Sequence, residues 1–99
     1  MERSLTEFIV CYDVKCDKRR KKLFDALKDT GLIHVQESVF WGWLNPSEAK
    51  CLPRLFEDLL DDESDRAFAV KARMTGCDRD LTYGYQDGFF SEFKPYETI

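Results

Sequence analysis

An apolar run that ends in a tyrosine and an aspartate is the first place in this sequence where catalysis is possible. Residues 8–12 read FIVCY, a predicted strand, and Asp13 follows at its end. A carboxylate suits a hard cation such as Mg²⁺, but one carboxylate holds it poorly, because the ion takes about six oxygens. A second copy of the chain would supply a second Asp13. We therefore expect one Mg²⁺, or another divalent cation, shared at a dimer interface, where it activates water for phosphodiester hydrolysis.

A cluster of cations follows Asp13 directly. The residues that we expect to bind nucleic acid are Lys15, Lys18, Arg19, Arg20 and Lys22. Arginine offers forked donors for phosphate, and a two-fold axis would double the positive field. The net charge of −4 argues against a general nucleic-acid coat, since residues 51–99 carry six Lys and Arg against eleven Asp and Glu. A solubilising helix face is the alternative interpretation of the same residues.

Six segments that could position these residues follow one another along the chain. The predicted elements are a strand over 8–12, a helix over about 17–30, a long strand over 33–44, a helix over 45–60, and strands over 66–71 and 80–85. From four strands and two helices we expect an α+β fold, a ferredoxin-like βαββαβ sandwich. In that fold a four-stranded antiparallel sheet carries both helices on one face, and we expect an extra C-terminal strand or tail.

With 99 residues, the chain has room for one domain, which we place at 1–99 with a core of about 7–85. Helices on one side of the sheet leave its other face bare, and the end of the chain, FFSEFKPYETI, is rich in aromatic residues. We expect two copies to pack sheet to sheet as a homodimer, with the tail 86–99 against the partner subunit.

Several classes of protein are disfavoured by the sequence. No apolar run reaches the ~20 residues of a membrane-spanning helix, and the N-terminus MERSLTEF does not resemble a signal peptide, so we expect a cytoplasmic protein and no membrane. The four cysteines have no zinc-type spacing, and we expect reduced thiols. His34 is the only histidine and has no ligand partner at metal-binding spacing.

Three segments, YDVKCDKRRKKL, GLIHVQESVF and LNPSEAKCLPRLFEDLL, resemble in order and spacing the CRISPR-associated family called "Cas-two". The likeness runs from about Phe8 to Val70. It implies a ferredoxin-like homodimer that joins the CRISPR integrase subunit in acquiring new spacers for antiviral defence, with metal-dependent endonuclease activity reported for some members. The family's metal-binding aspartate corresponds to Asp13, and its other functional or interface positions correspond to Tyr12, Arg19, Arg20, Ser38 and Phe40.

Two departures from the family pattern concern the end of the chain. Trp41 stands where members commonly have an acid, and KARMTGCDRD replaces a short hydrophobic pattern after the strand over 66–71. Three functions fit these residues: a metal-dependent endonuclease on RNA or DNA, a non-catalytic dimeric scaffold that bridges the integrase and double-stranded protospacer DNA, and an unrelated ferredoxin-like binding module. The first alone needs Asp13 for chemistry.

Overall fold

The computed structural model describes residues 4–77 and 79–91, and its elements follow the order βαββαβ. They are β1 (Thr6–Asp13), α1 (Asp17–Asp29), β2 (Ile33–Gln36), β3 (Val39–Leu44), α2 (Pro46–Leu59) and β4 (Arg66–Lys71), followed by a short 3₁₀ helix at Arg79–Leu81. Gly31, with φ of 97°, follows α1, where a left-handed residue commonly ends a helix. Neither α1 nor α2 has the length and apolarity that crossing a membrane would require.

The four strands form one antiparallel sheet in the order β2-β3-β1-β4. One face of the sheet packs against the two helices, because alternate residues of β1 point to that side. The core there contains Phe8, Val10, Tyr12, Leu23, Leu27, Phe40, Leu44 and Leu52. The ferredoxin-like fold class is thus confirmed.

The segment over 33–44 is a hairpin, and the prediction of one long strand was wrong. Glu37 and Ser38 form a turn between β2 and β3, and Ser38 adopts φ of 66°, a left-handed conformation that is uncommon for serine. The β-branched and aromatic residues on both sides of the turn made the segment look continuous. The hairpin supplies the second and third strands of the fold, so the fourth is β4.

The stretch over 80–85 is not a strand, which corrects the second strand prediction. It begins in the 3₁₀ helix and continues as a loop, while residues 72–77 cross back over the sheet face opposite the helices. We call this face the open face. There Phe90 packs against Trp41 with ring centroids 5.3 Å apart. In a single chain, therefore, Phe90 is already buried; the rest of the predicted tail, 92–99, lies outside the described residues.

Candidate functional site

Asp13 lies at the end of β1, with two cations beside it. Its side chain is 66% exposed, and its carboxylate is 3.2 Å from Lys15 Nζ. Arg66, the first residue of β4, is its direct partner across the antiparallel pair, so the two side chains extend from the same face of the sheet. Because neighbouring residues on a strand point to opposite sides, Asp13 belongs to the open face and Tyr12 to the core.

One chain does not build a metal site by itself. No cluster of three or more His, Cys, Asp or Glu side chains suited to a metal ion occurs in residues 4–77 and 79–91. Asp13 contributes a single carboxylate, and Lys15 already neutralises it. The donor chemistry fits Mg²⁺ only if a second copy brings its own Asp13, since carboxylate and water oxygens then provide the ligands that this ion prefers.

Arg19, predicted to bind nucleic acid, lies in an ion pair across the fold. Its Nε and Nη2 donate to the carboxylate of Asp65 at 2.7 and 3.2 Å. The side chain of Asp65 has no exposed surface, and it also accepts from the backbone N–H groups of Lys15 and Asp61 at 3.0 and 2.9 Å. Asp65 therefore ties the β1–α1 turn to the α2–β4 turn.

The other predicted phosphate contacts differ in how free their charges are. Arg20 donates to the carbonyl of Val14 at 2.9 Å and pairs with Asp17. Lys18 and Lys22 are exposed and make no ion pair with any residue that the structure describes. Of the predicted residues, these two lysines offer the most accessible charge.

The three residues carried over as supporting or interface positions lie together behind Asp13. Tyr12 stacks on Phe40 with ring centroids 6.3 Å apart. Phe40 has no exposed surface in this chain, so its ring cannot contact a base or a partner subunit in this conformation. The carbonyl of Ser38 accepts from the backbone N–H of Tyr12 at 3.1 Å. These residues fix the end of β1 against the hairpin turn.

Two residues near Asp13 were missed in the sequence. Arg66 could have been found by pairing the end of one strand with the start of its antiparallel neighbour. Asp65 could not, because it lies 46 residues from Arg19 in a run of acids that looks like a solvated connection. The structure is needed to distinguish the buried carboxylate of Asp65 from the exposed carboxylates of Asp61 and Asp62.

Comparisons with known proteins identify the relatives of this chain. A protein-family model described as CRISPR associated protein Cas2 matches residues 6–79. The chain is 33% identical over 93 residues to CRISPR-associated endoribonuclease Cas2 1 of Francisella tularensis subsp. novicida, which covers 94% of this chain and 95% of that protein. It is 32% identical over 80 residues to CRISPR-associated endoribonuclease Cas2 of Korarchaeum cryptofilum, covering 81% and 82%.

A solved structure has a similar fold. The crystal structure of a hypothetical protein from Thermus thermophilus matches with a TM-score of 0.65 and 33% identity, covering 70% of this chain and 83% of that one. A family model over most of the chain, and a relative that is 33% identical over nearly its whole length, show that the chain belongs to the CRISPR-associated Cas2 family.

Proposed function

We propose that this protein is a metal-dependent endonuclease of CRISPR adaptation, acting on RNA or DNA phosphodiesters. The observation that carries the proposal is the exposed carboxylate of Asp13 at the end of β1, in a family whose relatives are named endoribonucleases. Lys15 and Arg66 beside it supply positive charge where a phosphate would approach.

The proposed site forms between two copies of the chain, each contributing one Asp13. A shared Mg²⁺, when bound, would activate a water and neutralise charge on the scissile phosphate. The task of Asp13 is to hold the cation, while Lys15 exchanges its carboxylate partner for the phosphate. Asp65 and the Ser38 turn keep the strand end in place. The integrase subunit and a cytoplasmic location belong to the same proposal.

A second candidate is the non-catalytic scaffold that holds double-stranded DNA and the integrase in register. The ion pair between Lys15 and Asp13 favours it, because the carboxylate is neutralised within the chain and lacks companions in the part of the chain that the structure describes. Lys18 and Lys22 would then be the functional surface, and Asp13 would have no chemical step to perform.

Replacing Asp13 separates the two candidates. Asp13→Asn should reduce Mg²⁺-dependent cleavage by about 100-fold or more, since charge stabilisation by the metal amounts to several kcal/mol. Dimerisation and salt-sensitive binding should persist, because the substitution removes the two like charges that would face each other across the dimer axis, and this eases association. Asp29→Asn, which changes an exposed carboxylate on α1, is the matched control. Cleavage is measured on labelled RNA and DNA in parallel.

The possible results have distinct meanings. Equal cleavage by wild type and Asp13→Asn would assign the activity to another site or to a contaminant. If neither protein cleaves, and Asp13→Asn still supports spacer acquisition in cells, the scaffold is the correct function.

A further inference from the structure

A pocket of about 500 Å³ opens on the helix side of the strand end, away from the face that carries Asp13. It is lined by Tyr12, Asp17, Arg20, Lys21, Phe24, His34 and Glu37. This volume falls in the range of ~300–1,000 Å³ that small-molecule sites occupy. Its residues come from β1, α1, β2 and the hairpin turn, so the folded chain assembles it from separate parts of the sequence.

The wall of the pocket is aromatic. The rings of Phe24 and His34 meet edge to face with centroids 4.8 Å apart, and Phe40 closes the wall behind them, 5.1 Å from His34. His34 is exposed, so one side of its ring is available to a ligand. Histidine and phenylalanine rings are surfaces on which unpaired bases commonly stack.

The hydroxyl of Tyr12 is an unused hydrogen-bonding group at this pocket. Tyr12 is only 7% exposed, yet its hydroxyl makes no hydrogen bond to any part of the chain that the structure describes. No side-chain polar atom described as fully buried lacks a partner, so this hydroxyl reaches the pocket rather than the closed core. A phenolic hydroxyl can both donate and accept a hydrogen bond, so it is available to a polar group of a ligand in the pocket.

Charged groups of both signs stand at the rim. Arg20 and Lys21 each pair with a carboxylate, Asp17 and Asp25 respectively. Asp17 is 93% exposed, so a phosphate can replace it on Arg20 at little cost. Glu37 adds an acceptor that suits the exocyclic amino group of a base.

We infer that this pocket binds one unpaired nucleotide of a single-stranded nucleic acid, with the base against His34 and Tyr12 and the phosphate on Arg20 and Lys21. A base inside a duplex cannot enter, because its edges are paired and its faces are stacked. The inference rests on the proposed nucleic-acid function and narrows its substrate to strands with an unpaired position. Tyr12 and Asp13 are neighbours, so the pocket and the proposed cleavage site share one strand end.

Nucleotide binding without metal tests the inference independently of cleavage. The probe is adenosine 5′-monophosphate, with adenosine and inorganic phosphate as separate arms, followed by nuclear magnetic resonance. The imidazole of His34 gives an isolated signal, since the chain has one histidine. We expect the monophosphate to shift this signal and to bind more tightly than adenosine or phosphate alone. An oligonucleotide with an unpaired end should compete, and a blunt duplex should not.

Three variants give the comparison. Tyr12→Phe keeps the ring and removes the hydroxyl, and should weaken binding about fivefold, the effect of one hydrogen bond. His34→Ala should weaken it about tenfold or more, the effect of one stacked base. The control is Tyr83→Phe, because Tyr83 is 96% exposed and lies outside the pocket.

The outcomes separate this inference from the proposed function. Asp13→Asn should bind the monophosphate as wild type does, whether or not it cleaves. Absence of binding at millimolar monophosphate, or equal affinity in Tyr12→Phe, His34→Ala and wild type, would overturn the pocket and leave the Asp13 proposal standing. If the monophosphate binds as expected but Asp13→Asn cleaves as well as wild type, the Asp13 proposal is overturned and the pocket stands.

Discussion

Lys18 and Lys22 lie one helical turn apart on α1, where residues at this spacing share a face. Each nearby cation in the predicted cluster is held by a carboxylate, whereas these two are exposed. We expect Lys18→Glu combined with Lys22→Glu to weaken nucleic-acid binding. The slope of log affinity against log salt should become shallower by about 0.9 for each duplex phosphate that the variant no longer neutralises.

Salt titrations measured by fluorescence anisotropy test this expectation. The matched control is Lys50→Glu with Arg54→Glu, two exposed cations at the same spacing on α2, which change the net charge by the same amount. If the control lowers affinity as much as the α1 variant, the effect is one of total charge and the binding surface lies elsewhere. Arg19 should contribute less to binding than these lysines, because Asp65 holds it.

Asp65 makes the free energy of unfolding depend on pH in the acidic range. The hydrogen bond from Arg19, above all, holds the pKa of this carboxyl well below its usual range, against the opposing effect of burial. A depressed pKa contributes stability that is complete above the unfolded value of about 4 and is lost as the pH falls below it. Asp65→Asn should therefore unfold at lower urea than wild type at neutral pH, with the gap narrowing towards about pH 2.

Chemical denaturation across this pH range measures the gap, with Asp62→Asn as the control on an exposed carboxylate of the same turn. A gap that stays constant with pH would mean that the Asp65→Asn substitution disturbs packing rather than the titration of the ion pair.

At the level of single residues, the local sequence predicted that Asp13 lies at the end of a strand. It did not predict which of the nearby charged residues are buried or form ion pairs. A carboxylate directly after an apolar run commonly marks the end of a strand, so the exposure of Asp13 could be anticipated from the local sequence. The partner of Arg19 could not, because burial of one acid among several is decided by how α2 and β4 meet. The pocket at His34 depends in the same way on residues from four parts of the chain.

Among the elements, the segment after β4 is held on the open face by one carboxylate. Glu7 Oε2 accepts from Trp41 Nε1 at 2.7 Å, and from the backbone N–H groups of Met74 and Thr75 at 2.7 and 2.9 Å. Burial by itself raises the pKa of Glu7, but these hydrogen bonds outweigh it, and the net pKa is lowered. The contact is therefore strongest above about pH 4.

Glu7→Ala should free this segment and expose the tryptophans that it covers. The broken hydrogen bonds should cost about 2 kcal/mol of unfolding free energy, since donors are left without an acceptor. We expect a red shift of tryptophan emission and stronger acrylamide quenching, because Phe90 and Trp41 separate. Glu57→Ala, on an exposed position of α2, should leave both signals unchanged. An unshifted emission in Glu7→Ala would show that ring packing alone holds the segment.

The two wrong strand predictions have a common physical cause. Strand propensity is read from residue type, and the residues of 33–44 and 80–85 include the aromatic and β-branched types that fill sheets. Ser38 adopts a left-handed conformation although serine rarely does, so the residue type gave no sign of the hairpin turn. The 80–85 stretch cannot pair with β1 in the single-chain sheet, because β1 already lies between β3 and β4.

On the scale of the whole molecule, the open face is only partly covered by its own chain. The segment after β4 reaches Trp41, but Phe68 and Val70 on β4 remain 57% and 45% exposed. Both extend from the same side of the sheet as Asp13, because alternate residues of paired strands share a face. These exposed apolar side chains lie beside Asp13, whose proposed metal site needs a second Asp13. Both features favour a second copy of the chain as the partner that covers the open face.

We therefore expect the wild-type protein to sediment as a dimer at micromolar concentration and physiological salt, and Phe68→Glu to sediment as a monomer. A two-fold axis places the new carboxylate in the interface twice, and burying unpaired charge costs several kcal/mol, so the dissociation constant should rise about 100-fold or more. Tyr83→Glu introduces the same charge at a 96% exposed side chain and should remain dimeric. Phe68→Glu should also lose Mg²⁺-dependent cleavage while keeping nucleotide binding, because the pocket at His34 lies within one chain. If the wild-type protein sediments as a monomer, the proposed dimer is wrong. The proposal that two Asp13 carboxylates share one metal ion is then wrong as well.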